Sequence, residues 1–430
     1  MSSFFELPKL QGKKAVLLGL SIIESEDEQK KSISVHDSLA ELKELCLTMG
    51  LQPIQTFHQV RKKSHPKFYF GEGKIHEALE IKTQFNYDVV VVDDDLTPLQ
   101  FKSLEALFSC LILDRSAVIL EIFNQRAQSA EAKLQIEVAR LSYIVPRLKR
   151  LWTHLSRLGS GSGARGPGEK QIESDRRQLA KRLSLIKGKL KNVVKQRNLR
   201  RKQRQGAQTL NVAVIGYTNA GKSTLFNRLT ETQMLAENKL FATLDAHTRK
   251  WYLPSVQKTV LLTDTVGFIR KLPHHLVSAF QSTLEELRFA DVLLHVVDCS
   301  SETFKSNIQV SNQLIKDLEA AHIPVLYVFN KVDLLHNQDE FFEASRPFQP
   351  QIILSASKDS SFDSLETIIS KFLTKECLEK EFFIPFVKGH ILSNLYQYGS
   401  LLSQEACKDG LKIKMLIEKR YIARLLEELS

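Results

Sequence analysis

The sequence predicts an α/β chain of several domains, on three observations. The chain has 430 residues, 43% hydrophobic and 25% charged, enough at ~150 residues per domain for about three packed cores. Strand-like and helix-like stretches alternate between residues 13 and 120, the pattern of a parallel sheet with crossover helices. A later apolar strand, Asn211–Ile215, runs straight into the glycine-bearing turn Gly216-Tyr217-Thr218-Asn219-Ala220-Gly221-Lys222-Ser223 and a further helix.

Taken in order, Ala15–Leu20 reads as a strand, Val35–Met49 as a helix, Asp88–Val92 as a strand, Pro98–Leu107 as a helix and Leu111–Leu113 as a strand. The first helix rests on Leu39, Leu42, Cys46 and Met49, which helical spacing puts on one face. Gly71 and Gly73, ahead of Lys74, read as an ordinary turn, with an anion cradle at a helix N-terminus as the alternative. From Leu134 the spacing becomes heptad-like: Leu134, Val138, Leu141, Val145, Leu148, Trp152 and Leu155, answered by Leu179, Leu183, Ile186, Leu190 and Val193. Two such stripes predict an antiparallel hairpin whose helices bury their seams on each other. Pro146 is expected to kink the first helix. The segment Gly159–Gly168, with five glycines, is expected to be a loop that contacts a partner, with a plain flexible connector as the alternative, and Asn198–Gln208 a linker. The predicted domains are therefore 1–125, 126–208, 209–375 and 376–430. In the last, a helix, strands around Leu401 and Leu411–Leu416, and a closing helix at Arg420–Leu429 predict a small α/β appendage.

The net charge is +11, unevenly spread. Residues 147–204 hold 19 Lys and Arg against Glu169, Glu173 and Asp175, a local balance of +16 that leaves the remainder at −5. A basic stripe on a mildly acidic chain is the footprint of a polyanion partner, because neutralised phosphates release condensed counterions. Five scattered cysteines without CxxC spacing argue against a disulfide framework or a zinc site. The apolar runs are strand-length, short of the ~18–20 residues a membrane span needs. Residues 1–10 lack the charged start and apolar core of a secretory signal, so a cytoplasmic location is expected.

The turn Gly216–Ser223 fits the P-loop pattern. Its glycines let backbone N–H groups face phosphates, Lys222 supplies a cation to them, and Ser223 offers a hydroxyl to Mg²⁺. The strand Thr259–Thr263 ends in Asp264-Thr265-Val266-Gly267, where the acid suits contact with the Mg²⁺ shell and the Gly267 amide can reach a γ-phosphate. The strand Pro324–Phe329 ends in Asn330-Lys331-Val332-Asp333. A carboxylate at Asp333 can accept from both N–H groups on the guanine edge, which adenine does not offer, so the site selects GTP. After Ile352–Leu354, a backbone amide in Ser355-Ala356-Ser357 can meet guanine O6.

The order of these four motifs resembles the TRAFAC-class GTPases, and neighbouring stretches narrow the match. Phe241-Ala242-Thr243-Leu244-Asp245 with Thr248-Arg249, and Leu262 to Ile269, are similar to the HflX family of ribosome-associated GTPases, in the Obg-HflX-like group. So are Phe70-Gly-Glu-Gly-Lys74, Ile122 to Ala127, Glu131 to Gln135 and Arg165-Gly-Pro-Gly-Glu169 with Asp175-Arg-Arg177. By that similarity Thr243 is the switch threonine that, with Ser223, closes on Mg²⁺. Ala246-His247 stands where the family often has a proline. Phe268 occupies the place of the water-orienting glutamine of Ras-like proteins, and a phenyl ring can neither orient water nor accept a proton. No residue is therefore singled out as catalytic, and Mg²⁺, Lys222, the switch backbones or a partner must supply the positioning.

The resemblance implies a GTPase acting on the large ribosomal subunit and its RNA, splitting or rescuing ribosomes, with GTP and GDP as ligands and Mg²⁺ as cofactor. An RNA-modifying enzyme with regulatory GTP would need a further catalytic constellation, which the Cys and His spacings do not show. A membrane-linked regulatory GTPase with peripheral membrane association would set the basic stripe on anionic lipid; the glycine loop and the absence of a strong amphipathic apolar face flanking it disfavour that reading. Nothing demands a dimer, and a monomer is expected.

Overall fold

The computed structural model describes residues 10–22, 28–151, 167–205, 210–231, 240–241, 247–254, 258–271, 285–335, 337–358, 362–374, 377–386, 399–407 and 409–418. The chain divides into two compact units, one of residues 1–193, 237–245 and 269–282, the other of 194–236, 246–268 and 283–430.

The first unit begins with β1 (Lys14–Ile22), α1 (Glu28–Met49), β2 (Gln52–Arg61), α2 (Glu72–Phe85), β3 (Val89–Val92), α3 (Pro98–Phe108), β4 (Leu111–Asp114) and α4 (Arg115–Arg126). Its sheet has the order β2-β1-β3-β4, with every pairing parallel. The four valines of β3 are wholly buried, as a strand covered on both faces requires. Leu39, Leu42, Cys46 and Met49 are buried together, as their spacing predicts. Thr97 and Gln100 form a capping box that starts α3, whose first residue is Pro98. The sequence reading omits β2, a strand at the sheet edge in which Phe57 is the one buried residue, so no alternation announces it. It omits α4 as well.

The hairpin helices are α5 (Ala130–Leu151) and α6 (Pro167–Gln205). Val138, Leu141 and Ile186 are buried at their seam, with Leu134, Leu179, Leu183 and Leu190 packed against them. Helix α5 continues through Pro146 to Leu151. Two boundaries move. Pro167 and Gly168 open α6 rather than closing the glycine loop, since proline suits a first helical turn. The expected linker Asn198–Gln208 is helical as far as Gln205, because its Lys, Arg, Gln and Leu residues are good helix formers. Trp152, Leu155 and Gly159–Arg165 of the predicted seam and loop lie outside the described residues.

The second unit holds β5 (Asn211–Gly216), α7 (Lys222–Thr230), β6 (His247–Leu253), β7 (Lys258–Asp264), β8 (Val292–Asp298), α8 (Phe304–Asp317), β9 (Val325–Asn330), α9 (Gln338–Ser345), β10 (Gln351–Ile353) and α10 (Phe362–Thr374). The order is β10-β9-β8-β5-β7-β6, parallel except that β6 runs antiparallel to β7. The inner strands β5 and β8 are apolar runs, and Val212, Val214, Leu225, Phe226, Trp251, Leu294, Val296 and Leu326 share one core. Strands β11 (Cys377–Pro385), β12 (Gly399–Ala406) and β13 (Gly410–Glu418) form an antiparallel sheet in the order β11-β13-β12. The sequence reading has two strands there. The additional β11 alternates charged Glu379 and Glu381 with buried Phe382 and Ile384. The helix expected at Arg420–Leu429 lies outside the described residues.

Candidate functional site: a P-loop at the ends of parallel strands

The site forms where β5, β7, β8 and β9 end, the edge of an open parallel sheet at which ligands collect. Gly216 takes φ +144°, and a Cβ there would stand 2.1 Å from the Val296 carbonyl oxygen. Asn219 takes φ +62° and Gly221 φ +92°, so the loop turns through conformations that favour glycine and tolerate asparagine. Helix α7 starts at Lys222 without a side-chain cap, and a helix N-terminus is a favourable place for an anion.

Lys222 is buried, and its ammonium donates to the Tyr217 carbonyl at 2.7 Å. Burial lowers its pKa to about 8, against the pull of Asp264, while the Lys331 charge lowers it further. A buried cation in a glycine turn is suited to a phosphate. Ser223 Oγ donates to Asp264 Oδ2 at 3.1 Å, which brings together two hard oxygen donors of the kind Mg²⁺ prefers. Thr218 Oγ1 is buried with no hydrogen-bond partner among the described residues.

Thr265 Oγ1 donates to the Val214 carbonyl at 2.8 Å, tying β7's end to β5, and Val266 is buried. A Cβ on Gly267 would meet Thr218 Cγ2 at 2.8 Å and Lys222 Nζ at 2.9 Å. Phe268 is buried. Its N–H donates to Gly216 O at 3.0 Å, and its carbonyl accepts from Thr218 N–H at 2.8 Å. The phenyl ring therefore packs inward while the backbone stitches the segment to the P-loop.

On the base side, Asn330 Nδ2 donates to Ala220 O at 2.9 Å and its Oδ1 accepts from Ala356 N at 2.8 Å. One side chain thus joins the P-loop to the Ser355-Ala356-Ser357 loop. A Cβ on Gly221 would lie 2.1 Å from that Nδ2. Ser355 Oγ donates to Asp333 Oδ1 at 2.6 Å and shares a hydrogen bond with Ser357 Oγ at 2.9 Å. The Ser355 hydroxyl holds the Asp333 carboxyl below the usual carboxylate range. Asp333 and Val332 begin a short 3₁₀ turn after Lys331.

Phe241 is buried with its ring edge-on to Phe123, centroids 4.6 Å apart. Ala242, Thr243, Leu244 and Asp245 lie outside the described residues. Sequence reasoning missed two side chains of this site, His295 and Asp298, and the ion pairs of Arg270 and Lys271 in the first unit. Buried His295 on β8 carries a pKa depressed to about 3 by burial and by Lys222. Asp298 pairs with Lys331 at 2.6 Å. Arg270 pairs with Asp37 at 3.2 Å, and Lys271 with Asp93 at 2.7 Å and Asp94 at 2.6 Å. A histidine inside the apolar run Val292–Asp298 was the available signal for His295. The Arg270 and Lys271 pairs join residues far apart in sequence and left none.

Fold and motif geometry together define a P-loop GTPase, an enzyme that binds and hydrolyses GTP. Three family profiles match: "GTP-binding GTPase N-terminal" over residues 36–124, "GTP-binding GTPase Middle Region" over 126–204, and "50S ribosome-binding GTPase" over 211–331. The protein named "GTPase HflX" from Lacrimispora saccharolytica is 38% identical over 99% of this chain and 98% of its own length. That from Caldanaerobacter subterraneus is 42% identical over 88% and 87%, and that from Escherichia coli 39% over 94% of each. The chain belongs to the HflX GTPase family. A solved structure described as an "SsGBP and GDP complex" is similar at 24% identity and TM-score 0.45, covering 84% of this chain and 99% of its own.

Proposed function

We propose that this GTPase binds the large ribosomal subunit through its basic hairpin and couples GTP hydrolysis to splitting or rescuing ribosomes. The observation that carries the reading is the +16 balance of residues 147–204, most of it on one 39-residue helix, α6. A helix of that kind tracks phosphate backbone as a rod of point charges. The match of residues 211–331 to the profile "50S ribosome-binding GTPase" supports it.

In this reading the amides of Gly216–Ser223 and the Lys222 ammonium hold the phosphates, and Asp333, oriented by Ser355, accepts from the guanine edge. Ser223 and Thr243 would ligate Mg²⁺, with Asp264 supporting its shell, and the ion would neutralise charge on the β- and γ-phosphates. The Gly267 amide would meet the γ-phosphate. With Phe268 buried and chemically inert, unstimulated hydrolysis should be slow, ~10⁻⁴–10⁻² s⁻¹, and rise when the subunit orders the switches.

Sedimentation with purified ribosomal subunits and with anionic liposomes tests this, at several salt concentrations. Binding to the large subunit should fall steeply with salt, and charge reversal at Arg176, Arg177 and Lys181 should weaken it and flatten the slope. Pelleting with liposomes but not with subunits would replace the ribosomal reading with the membrane one.

A further inference from the structure

Asp298 closes β8, and its two carboxylate oxygens have separate partners. Oδ1 accepts from Ser300 N–H at 3.0 Å and Ser300 Oγ at 2.6 Å. Oδ2 lies 2.6 Å from Lys331 Nζ. The carboxylate is thus set in place by its own strand end before it meets the lysine. The backbone repeats the link: Asp298 stands opposite Asn330 in the β8–β9 register, and Cys299 N–H donates to Asn330 O at 3.0 Å. Lys331 has φ +66° and ψ 33°, a left-handed conformation that non-glycine residues seldom adopt. It precedes the turn that carries Asp333, so the conformation of Lys331 sets where Asp333 stands.

A lysine has four rotatable bonds and loses much freedom when ordered. With its backbone set by Asn330 and its ammonium held by Asp298, only the methylene stem is left to settle, and the Lys331 charge acts on both Lys222 of the P-loop and Asp333. The 22% exposure of both side chains leaves the pair accessible to a ligand yet shielded enough to hold.

We infer that Asp298, seated on Ser300, is a positioning residue for guanine nucleotide binding, fixing Lys331 as one wall of the guanosine pocket. This rests on the reading of Asp333 as the base-selective carboxylate. Asp298→Asn is the informative change, because its amide oxygen still accepts from Ser300 while the charge opposite Lys331 is lost. Calorimetry on the full chain would compare GDP, which fills both halves of the site, with tripolyphosphate, which fills the phosphate half. GDP affinity should fall about fivefold, the scale of one partly screened charge-assisted hydrogen bond, with tripolyphosphate affinity held within about twofold. In a Lys331→Met background, Asp298→Asn should cost less than about twofold more, since coupled residues are not additive. Unchanged GDP affinity, equal losses for GDP and tripolyphosphate, or full additivity with Lys331→Met would each overturn the inference. Asp333→Asn separates the two failures. If it moves preference from GDP to xanthosine diphosphate while Asp298→Asn does nothing, only the positioning role is wrong. If it leaves base preference intact, the base-site reading fails and the inference with it.

Discussion

Acid should loosen the sheet that carries the nucleotide site, and His295 should set where this begins. His295 sits in the middle of β8, opposite Ile215 and Tyr327, with its ring 5.4 Å from that of Tyr327. It is 1% exposed, and Nδ1 has no hydrogen-bond partner among the described residues. Burial, reinforced by the Lys222 charge, lowers its pKa from 6.5 to about 3. The folded chain then refuses a proton that the unfolded chain accepts. Stability is therefore complete above pH 6.5, falls as pH drops through the window from 6.5 toward 3, and levels off below it.

Those two values give a loss of about 2 kcal/mol between pH 7 and pH 5 from this group alone. Trp251, buried on β6 in the same core, reports unfolding of this sheet by fluorescence once Trp152, the other tryptophan of the chain, is changed to Phe. Urea midpoints would be compared at pH 7 and pH 5 for this parent and for His295→Leu. The parent should lose about 2 kcal/mol more than the variant between the two pH values. All other titrating groups are common to both proteins and cancel in the difference. Equal losses would show that His295 takes no part in the proton linkage, and the account of its burial would be wrong.

Three further outcomes follow from the same geometry. Lys222 has a pKa lowered to about 8, and on the proposal that its charged form holds the phosphates, GDP affinity by calorimetry should fall about fourfold from pH 7 to pH 8.5; a flat profile would contradict that role or the lowered value. Gly221→Ala forces a Cβ against Asn330 Nδ2 at 2.1 Å from a backbone with φ +92°; it should weaken GDP binding by more than about tenfold and lower the melting temperature, and wild-type affinity would refute the packing. Asp93→Ala removes the carboxylate that Arg115 meets at 2.6 Å and Lys271 at 2.7 Å. With Arg115 only 2% exposed but still 2.6 Å from Glu41, the loss should reach about 3 kcal/mol by chemical denaturation, the low end for a broken buried pair, and a change under about 1 kcal/mol would show the network to be dispensable.

The nucleotide site is legible in the sequence because each of its motifs is local. Gly216–Ser223, Asp264–Gly267, Asn330–Asp333 and Ser355–Ser357 each follow a strand, and parallel strands in one sheet deliver their C-terminal ends to one edge. The hairpin is legible for a similar reason, since Val138, Leu141 and Ile186 reveal their seam by spacing alone. Strand β2 was hidden because an edge strand buries little and so carries no pattern. What the tertiary structure alone decided is the pairing of side chains distant in sequence: Lys331 with Asp298, Asn330 with Ala220 and Ala356, Lys271 with Asp93. Composition and spacing name the charges on a chain. Which two of them meet depends on strand order and register, and those follow from how the whole apolar surface is buried at once.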